Sequence, residues 1–188
     1  MKVKPILSTL AILFTFALCA YNIPKGWFVA GNRPTDYNMG TDVGAGYHGG
    51  NAATIQSNKE QIDGFGTLMQ NISPARYMGK RVRLTGYMKS LNIKGWAGFW
   101  LRVDKERSYN PLAFDNMSNR KVTGTTQWQK YEIVLDVPVN ALNIAYGALL
   151  AGNGQIWFDQ LQFAVVGKEI PTTGTTAPND PTNMGFEN

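Results

Sequence analysis

Two tryptophans and an ion pair fall on one side of a single short stretch, Gly95–Asp104. Read with a period of two, this side carries Trp96, Trp100, Arg102 and Asp104, and the other side carries Ala97, Phe99, Leu101 and Val103. Sugar rings stack on aromatic rings through their C–H groups, and their hydroxyls bond to charged and amide side chains. The polar side therefore predicts binding of a glycan or another small polar ligand.

Three more polar side chains lie in segments that could pair beside this stretch: Gln70, Asp115 and Asn116. Together with Trp96, Trp100 and Arg102 they form the predicted ligand-binding residues. The alternative is that a loop or a second packed face covers the tryptophans, which are then structural. In that case Arg102 and Asp104 form a surface ion pair that contributes little to stability.

Catalytic chemistry has little support in this chain. His48 is the only histidine, so a multi-histidine metal site is excluded, and no nucleophile elbow accompanies it. Glycoside hydrolysis needs two positioned carboxylates; Asp104 with Asp115 or Glu132 is conceivable across strands, but no motif supports the pair. We predict no catalytic activity, and a small carbohydrate-active enzyme is the least favoured alternative.

Short strands must position these residues, because no segment after the first twenty residues shows sustained helical periodicity. Regular alternation or apolar runs predict strands at residues 52–57, 65–72, 81–89, 96–104, 128–137, 143–151 and 156–166. Gly152–Gln155 predicts a hairpin between the last two. With shorter strands before residue 42 and around residue 114, the total is about nine. This pattern predicts an all-β fold, an antiparallel β-sandwich.

The first twenty residues predict a signal peptide. Lys2 and Lys4 precede an apolar run that is too short to span a bilayer comfortably. Cys19, the only cysteine, lies in or at the edge of this segment, so the mature domain has no disulfide. We expect a secreted or periplasmic protein without stable membrane insertion after signal cleavage; an uncleaved anchor is the alternative.

Charge and composition set the remaining bounds. Hydrophobic residues make up 44% of the chain and charged residues 16%, enough apolar material for one core. Without Lys2 and Lys4, 16 basic residues face 13 acidic ones, a net charge of +3 that forms no dense basic stripe. We therefore expect no nucleic-acid partner. The predicted sandwich spans residues 26–167, and residues 168–188, which begin with a Thr- and Pro-rich stretch, form a flexible tail.

Four segments carry a resemblance to a known fold family: Gly64–Gln70, Tyr77–Tyr87, Trp96–Asp104 and Gln155–Phe163. Over residues 26–166 they resemble the galactose-binding-like jelly roll of many carbohydrate-binding modules. More closely, the chain resembles bacterial domains that occur as small secreted proteins or attached to helix-turn-helix regulators. The resemblance implies a jelly-roll sandwich and says more about the fold than about function.

The resemblance also implies a role for Asp159, because an aspartate at this place in the closing strand helps to hold a structural calcium ion in related sandwiches. The other ligands would come from the loop Gly44–Asn51 or from the first strand. Read from the sequence alone, Asp159 shares an inward face with Trp157, Leu161 and Phe163 and needs partners there. Hydrogen bonds to backbone amides of the loop are the alternative, and no other cofactor is expected.

These observations predict an exported, non-catalytic binding domain for a glycan or a small polar ligand. A structural or protein-interaction domain of the cell envelope, with envelope proteins as partners, is the alternative.

Overall fold

The computed structural model describes residues 21–105 and 110–176. The predicted signal peptide, Cys19 and the last twelve residues lie outside this part of the chain. The strands are β1 Phe28–Gly31, β2 Tyr37–Asp42, β3 Ala52–Ser57, β4 Phe65–Ile72, β5 Arg81–Asp104, β6 Ala113–Asp115, β7 Val122–Asp136, β8 Asn143–Val166 and β9 Thr175–Thr176. A short 3-10 turn at Pro34–Asp36 precedes β2.

Two long strands, β5 and β8, run through both layers of a sandwich. Their segments 94–104 and 143–151 pair with each other in the first sheet, whose strand order is β1-β4-β8-β5-β6-β9. Their segments 81–91 and 155–166 pair in the second sheet, where β3 and then β2 lie beyond β8, and β7 lies beyond β5. Every pair is antiparallel, which confirms the predicted all-β antiparallel sandwich.

Glycines at the middle of β5 and β8 carry the chain from one sheet to the other. Gly95 lies opposite Gly152, and both have positive φ angles, 122° and 79°. A Cβ at Gly95 would collide with the carbonyl oxygen of Ala151, and one at Gly152 with that of Lys94. The predicted hairpin at Gly152–Gln155 is therefore wrong: the strands on either side both pair with β5, and the glycines form a corner rather than a turn.

The core lies between the two sheets. Ala97, Phe99, Leu101 and Val103 are almost completely buried, as their period-two spacing predicts. Phe99 meets Phe158 of the second sheet edge to face, with ring centres 6.0 Å apart. The opposite side of the same stretch therefore faces outward from the first sheet.

A bulge near Gln160 changes which residues of β8 face inward. Gln160 has a φ of 51°, and the β5–β8 register shifts between Thr85 and Tyr87. Phe158 is buried before the bulge, and Phe163 packs against the core after it. The inward placement predicted for Asp159 is wrong, because strict alternation fails at the bulge and Asp159 lies on the outer face of the second sheet.

Residues 168–176 cross the end of the sandwich. The Arg81 guanidinium donates to the carbonyl oxygens of Lys168 and Ile170 at 2.8 and 2.6 Å. The Thr173 hydroxyl donates to Asp115 at 2.6 Å, and β9 pairs with β6. The described part of the predicted tail is thus packed against the domain. None of the described residues forms a helix long and apolar enough to cross a membrane.

Candidate ligand-binding cleft

The outer face of the first sheet forms a cleft of about 1000 Å³. Its walls come from β1, β4, β5, β6 and β8 and from the loop that precedes β4. The apolar lining comprises Phe65, Met69, Trp96, Trp100, Phe114, Ala145 and Leu149, and the polar lining includes Asn71, Lys94, Arg102, Asp104, Asn116 and Asn143. An apolar floor with a few polar groups is typical of sites for small molecules and glycans.

Trp100 forms the floor of the cleft. It is 9% exposed and packs against Ala145 and Leu149. Its Nε1 donates to the Thr67 hydroxyl at 2.8 Å, and that hydroxyl donates to the carbonyl oxygen of Ala148 at 2.7 Å. These bonds fix the indole and satisfy its only donor, so Trp100 offers ring surface but no hydrogen bond to a ligand.

Two partly exposed rings, Trp96 and Phe114, stand beside this floor. They belong to β5 and β6, which pair next to each other in the first sheet. The Lys121 ammonium lies 5.6 Å from the centre of the Trp96 ring. A sugar ring that enters the cleft can stack on Trp96 or Phe114 while the floor excludes water beneath it.

Polar groups lie around these rings. The Arg102 Nε donates to Asp104 Oδ1 at 2.7 Å, and the Asp104 side chain is only 13% exposed. Asn116 accepts a hydrogen bond from the Ser118 backbone N–H at 3.1 Å. Asn71 and Asn143 add two more amide side chains to the lining. Amides both donate and accept, which suits hydroxyl-rich ligands.

The structure brings four of the six predicted binding residues to this cleft, namely Trp96, Trp100, Arg102 and Asn116. The other two face inward. Gln70 accepts a 2.6 Å hydrogen bond from the Tyr146 hydroxyl on the core side of β4. Asp115 is buried and holds Arg120 through two contacts of 3.1 and 2.7 Å.

Sequence reasoning missed Phe114, Asn71 and Asn143. Phe114 lies in a stretch too short to show which side it faces. In β4 the alternation of Thr67, Met69 and Asn71 was readable, but only the strand order shows that this side faces the cleft.

The carboxylates that line the cleft do not form a catalytic pair. Asp104 lies at the end of β5 opposite Asn143, whereas Asp63 precedes Gly64, whose carbonyl oxygen accepts from the N–H of Gly152, opposite Gly95 at the other end of this stretch. At about 3.3 Å per residue these positions are roughly 30 Å apart, far more than the separation in glycosidases. Asp115 is bound to Arg120, and Glu132 belongs to the second sheet. Among the described residues, no pair suited to glycoside hydrolysis lies in the cleft.

Asp159 holds the glycine-rich loop to the second sheet. Its two oxygens accept backbone N–H bonds from Tyr47 at 3.0 Å and Gln160 at 2.6 Å. Three oxygen atoms lie close together beside Gly46: the carbonyl oxygens of Gly49 and Asn51, and Asp159 Oδ2. They are 2.5, 2.9 and 3.0 Å, respectively, from the position that a Cβ on Gly46 would occupy.

Oxygen donors of this kind suit Ca²⁺, which takes six to eight of them. One carboxylate and two carbonyls supply part of such a set. The described residues contain no group of three or more His, Cys, Asp or Glu side chains that could hold a metal. The calcium site stays a prediction, with Asp159, Gly49 and Asn51 as the residues that would contribute to it.

A second group of aromatic side chains lies on the outer face of the second sheet: Tyr47, Tyr87, Trp128 and Trp157, with Lys89 between the two tryptophans. We call this group the outer aromatic surface. Tyr47 stacks on Tyr87 with centroids 3.9 Å apart, and the Lys89 ammonium lies 4.7 Å from Trp157 and 5.0 Å from Trp128. Trp157 Nε1 donates to Asp42 at 2.6 Å. His48 is exposed next to Tyr47.

Comparison with known sequences finds one clear relationship. The chain is 40% identical over 168 residues to the uncharacterised HTH-type transcriptional regulator YbfP of Bacillus subtilis strain 168. The matched region covers 87% of this chain and 57% of YbfP, so the chain spans little more than half the length of that relative. No model of a known protein family matches the chain. The predicted likeness to domains attached to helix-turn-helix regulators is confirmed.

Solved structures with a similar fold include carbohydrate-binding modules. The CBM22-1 xylan-binding domain of Paenibacillus barcinonensis Xyn10C superimposes with a TM-score of 0.55 at 14% identity, covering 78% of this chain and 90% of that domain. The C-terminal family 22 module of Clostridium thermocellum Xyn10B gives 0.51 at 13% identity, covering 78% and 89%. At these identities the likeness concerns the fold alone. The chain has the jelly-roll β-sandwich fold found in carbohydrate-binding modules.

Proposed function

We propose that this chain is an exported, non-catalytic domain that binds a glycan in the cleft of the first sheet. The observation that carries the proposal is the combination of partly exposed Trp96 and Phe114 with a buried apolar floor and amide side chains along the walls. Sugars need this combination, because their C–H faces are apolar and their edges carry hydroxyls.

The size of the cleft supports a chain of several sugar rings. The lining runs along β5 from Lys94 to Asp104 and crosses five strands. Strand spacing makes it roughly 20 Å wide and 30 Å long. Such a surface suits an oligosaccharide or a segment of a polysaccharide better than one monosaccharide.

Two further considerations support binding without catalysis. The carboxylates Asp63 and Asp104 are too far apart to act together. A domain similar to part of a transcriptional regulator is also more simply explained by ligand recognition than by a shared reaction. Export to the periplasm or the medium rests on the predicted signal peptide at residues 1–20.

The test is binding of the mature domain to soluble glycans by titration calorimetry and tryptophan fluorescence, with xylohexaose and cellohexaose as first ligands. We expect Trp96→Ala to weaken affinity by about fivefold to thirtyfold, because a stacked ring contributes about 1–2 kcal/mol. Trp157→Ala removes a partly exposed tryptophan from the other sheet and is the matched control. Equal affinity of the wild type and Trp96→Ala would contradict the proposed site.

The outer aromatic surface favours a second candidate, recognition of an envelope protein. Partly exposed tyrosines and tryptophans are enriched in protein interfaces. If Trp157→Ala abolishes retention on cell-envelope material and Trp96→Ala has no effect, the protein-interaction function takes precedence over glycan binding.

A further inference from the structure

We infer that the cleft takes an anionic saccharide chain, one whose sugars carry carboxylate or sulfate groups. This inference rests on the proposed function and narrows the class of ligand. It comes from the distribution of charge around Trp96.

Three cations border one end of the cleft. Lys94 lines it directly. The Lys121 ammonium lies over the Trp96 ring. Arg33 follows Asn32 in the sequence, and its side chain lies against Gly64. Asn32 and Gly64 both line the cleft. All three side chains are exposed, so they can meet a ligand that lies across Trp96.

These cations are not neutralised by neighbouring acids. The ion pairs of the described residues are Lys59–Asp36, Arg81–Asp136, Arg83–Glu132, Arg102–Asp104 and Arg120–Asp115. Within the described part of the chain, therefore, Arg33, Lys94 and Lys121 take part in no ion pair. Asp63 is the one carboxylate in the lining at this end. The local balance is three positive charges against one negative charge.

The described lining residues at the far end of the cleft have a different balance. There the guanidinium of Arg102 and the carboxylate of Asp104 bind each other, so their charges largely cancel. A neutral glycan could accept hydrogen bonds from the cations around Trp96 but would gain no charge–charge attraction from them. An acidic sugar stacked on this ring would have its charge near two exposed lysine side chains, Lys121 over the ring and Lys94 in the lining.

Coulomb attraction of this kind adds to affinity without rigid geometry and weakens as salt is added, because exposed charges are screened over about 8 Å at physiological ionic strength. Carboxylated and sulfated sugars share the negative charge that these lysines would recognise. The cleft as described does not separate the two, so the experiment compares them.

The experiment measures affinity for two matched pairs of polymers at low and physiological salt. Polygalacturonate is compared with its fully methyl-esterified form, and dextran sulfate with dextran. We expect the charged member of at least one pair to bind about tenfold more tightly, and the preference to shrink as salt rises. A preference confined to one pair identifies carboxylate or sulfate as the recognised group.

Two variants assign the effect to this end of the cleft. Lys94→Gln/Lys121→Gln should lose about tenfold in affinity for the charged polymer. Lys25→Gln/Lys130→Gln changes the net charge equally at positions outside the cleft lining and should lose less than about twofold. Equal losses in the two double variants would overturn the inference, because they would reflect net charge rather than the cleft.

The failure of this inference is distinguishable from that of the proposed function. If the esterified polymer or xylohexaose binds as tightly as the charged polymer, and Trp96→Ala weakens that binding, the cleft binds neutral glycans and the inference is overturned alone. If Trp96→Ala changes no affinity, the proposed function fails as well.

Discussion

The cleft and the outer aromatic surface each contain two tryptophans, yet they use them differently. On the outer aromatic surface Trp157 donates to Asp42, Trp128 and Trp157 both contact Lys89, and the two tyrosines stack on each other. In the cleft Trp100 is bound to Thr67, whereas Trp96 is partly exposed: it packs against the cluster around Trp100, and the Lys121 ammonium lies over its ring. Aromatic content alone therefore does not identify a binding face.

What separates the two regions is how many of the rings are held by stacking, by a hydrogen bond or by a shared lysine. The outer aromatic surface is largely satisfied by itself, since its rings anchor the loop Gly44–Asn51 and cover a lysine. The cleft pairs one fixed tryptophan beneath with one partly exposed tryptophan above. A ligand can gain contact area on such a surface without first breaking internal contacts.

The largest expected effect comes from Trp100→Ala, which tests whether this ring is part of the framework. Because the indole is 9% exposed and hydrogen-bonded, its removal should leave a cavity and lower the free energy of unfolding by about 3–5 kcal/mol. Urea denaturation followed by circular dichroism measures this.

Trp100→Phe is the matched control for that substitution. It keeps an aromatic ring on the floor and removes the bond to Thr67, and it should cost about 1–2 kcal/mol. A loss below about 1 kcal/mol in Trp100→Ala would mean that Trp100 is not structural and would place it with Trp96 as a ligand-binding ring.

A smaller effect is expected from Asp159→Ala, which changes the loop beside the outer aromatic surface. Loss of the bonds from the Tyr47 and Gln160 backbones should release the glycine-rich loop and disturb the stack of Tyr47 on Tyr87. We expect a loss of about 1–2 kcal/mol in stability and a reduced near-ultraviolet circular dichroism signal, with unchanged affinity at the cleft. Reduced glycan affinity would contradict the independence of the two faces.

The same variant tests the predicted calcium site. Calcium bound by Asp159 and the loop carbonyls would raise the Tm of the wild type and leave that of Asp159→Ala unchanged. If the wild type has the same Tm in the presence of calcium and of a chelator, no calcium ion binds at this site. Asp159 then acts only through its two hydrogen bonds to backbone N–H groups.

Much of the fold could be read from the sequence, because alternation on the strands is local. Residues 52–57 and 65–72 are strands with the predicted bounds, and Phe99 and Leu101 are buried as expected. The predicted hairpin was wrong because the role of Gly152 depends on a residue that is distant in sequence. Gly152 lies opposite Gly95 only because β5 and β8 pair along their length. No pattern within ten residues contains that information.

The candidate site, like the fold, could be predicted only in part from the sequence. Trp96 and Trp100 share a side of β5, which alternation shows. Alternation does not show that Thr67 lies within reach of Trp100 and buries it, or that Gln70 lies on the core side. The face of a single strand can be predicted from its own residues, whereas the depth of each residue on that face depends on strands that are distant in sequence.

The smallest expected effect compares ion pairs at the edge of the second sheet. Two hydrogen bonds of 2.8 Å from Arg81 hold the pKa of Asp136 below its ordinary value of 3.8. A lowered pKa in the folded state means that the pair stabilises the fold above the unfolded pKa and that this contribution is lost as the pH falls through the folded value. Asp136→Asn should therefore cost about 1 kcal/mol at pH 7, given its partial exposure, and less near pH 2. Glu132→Gln breaks the looser pair with Arg83, 4.0 Å apart and more exposed, and should show little change between these pH values. Urea denaturation at the two pH values measures both variants; an Asp136→Asn deficit that is equal at pH 7 and pH 2 would mean that packing of the Arg81 stem, and not charge, holds this edge together with residues 168–170.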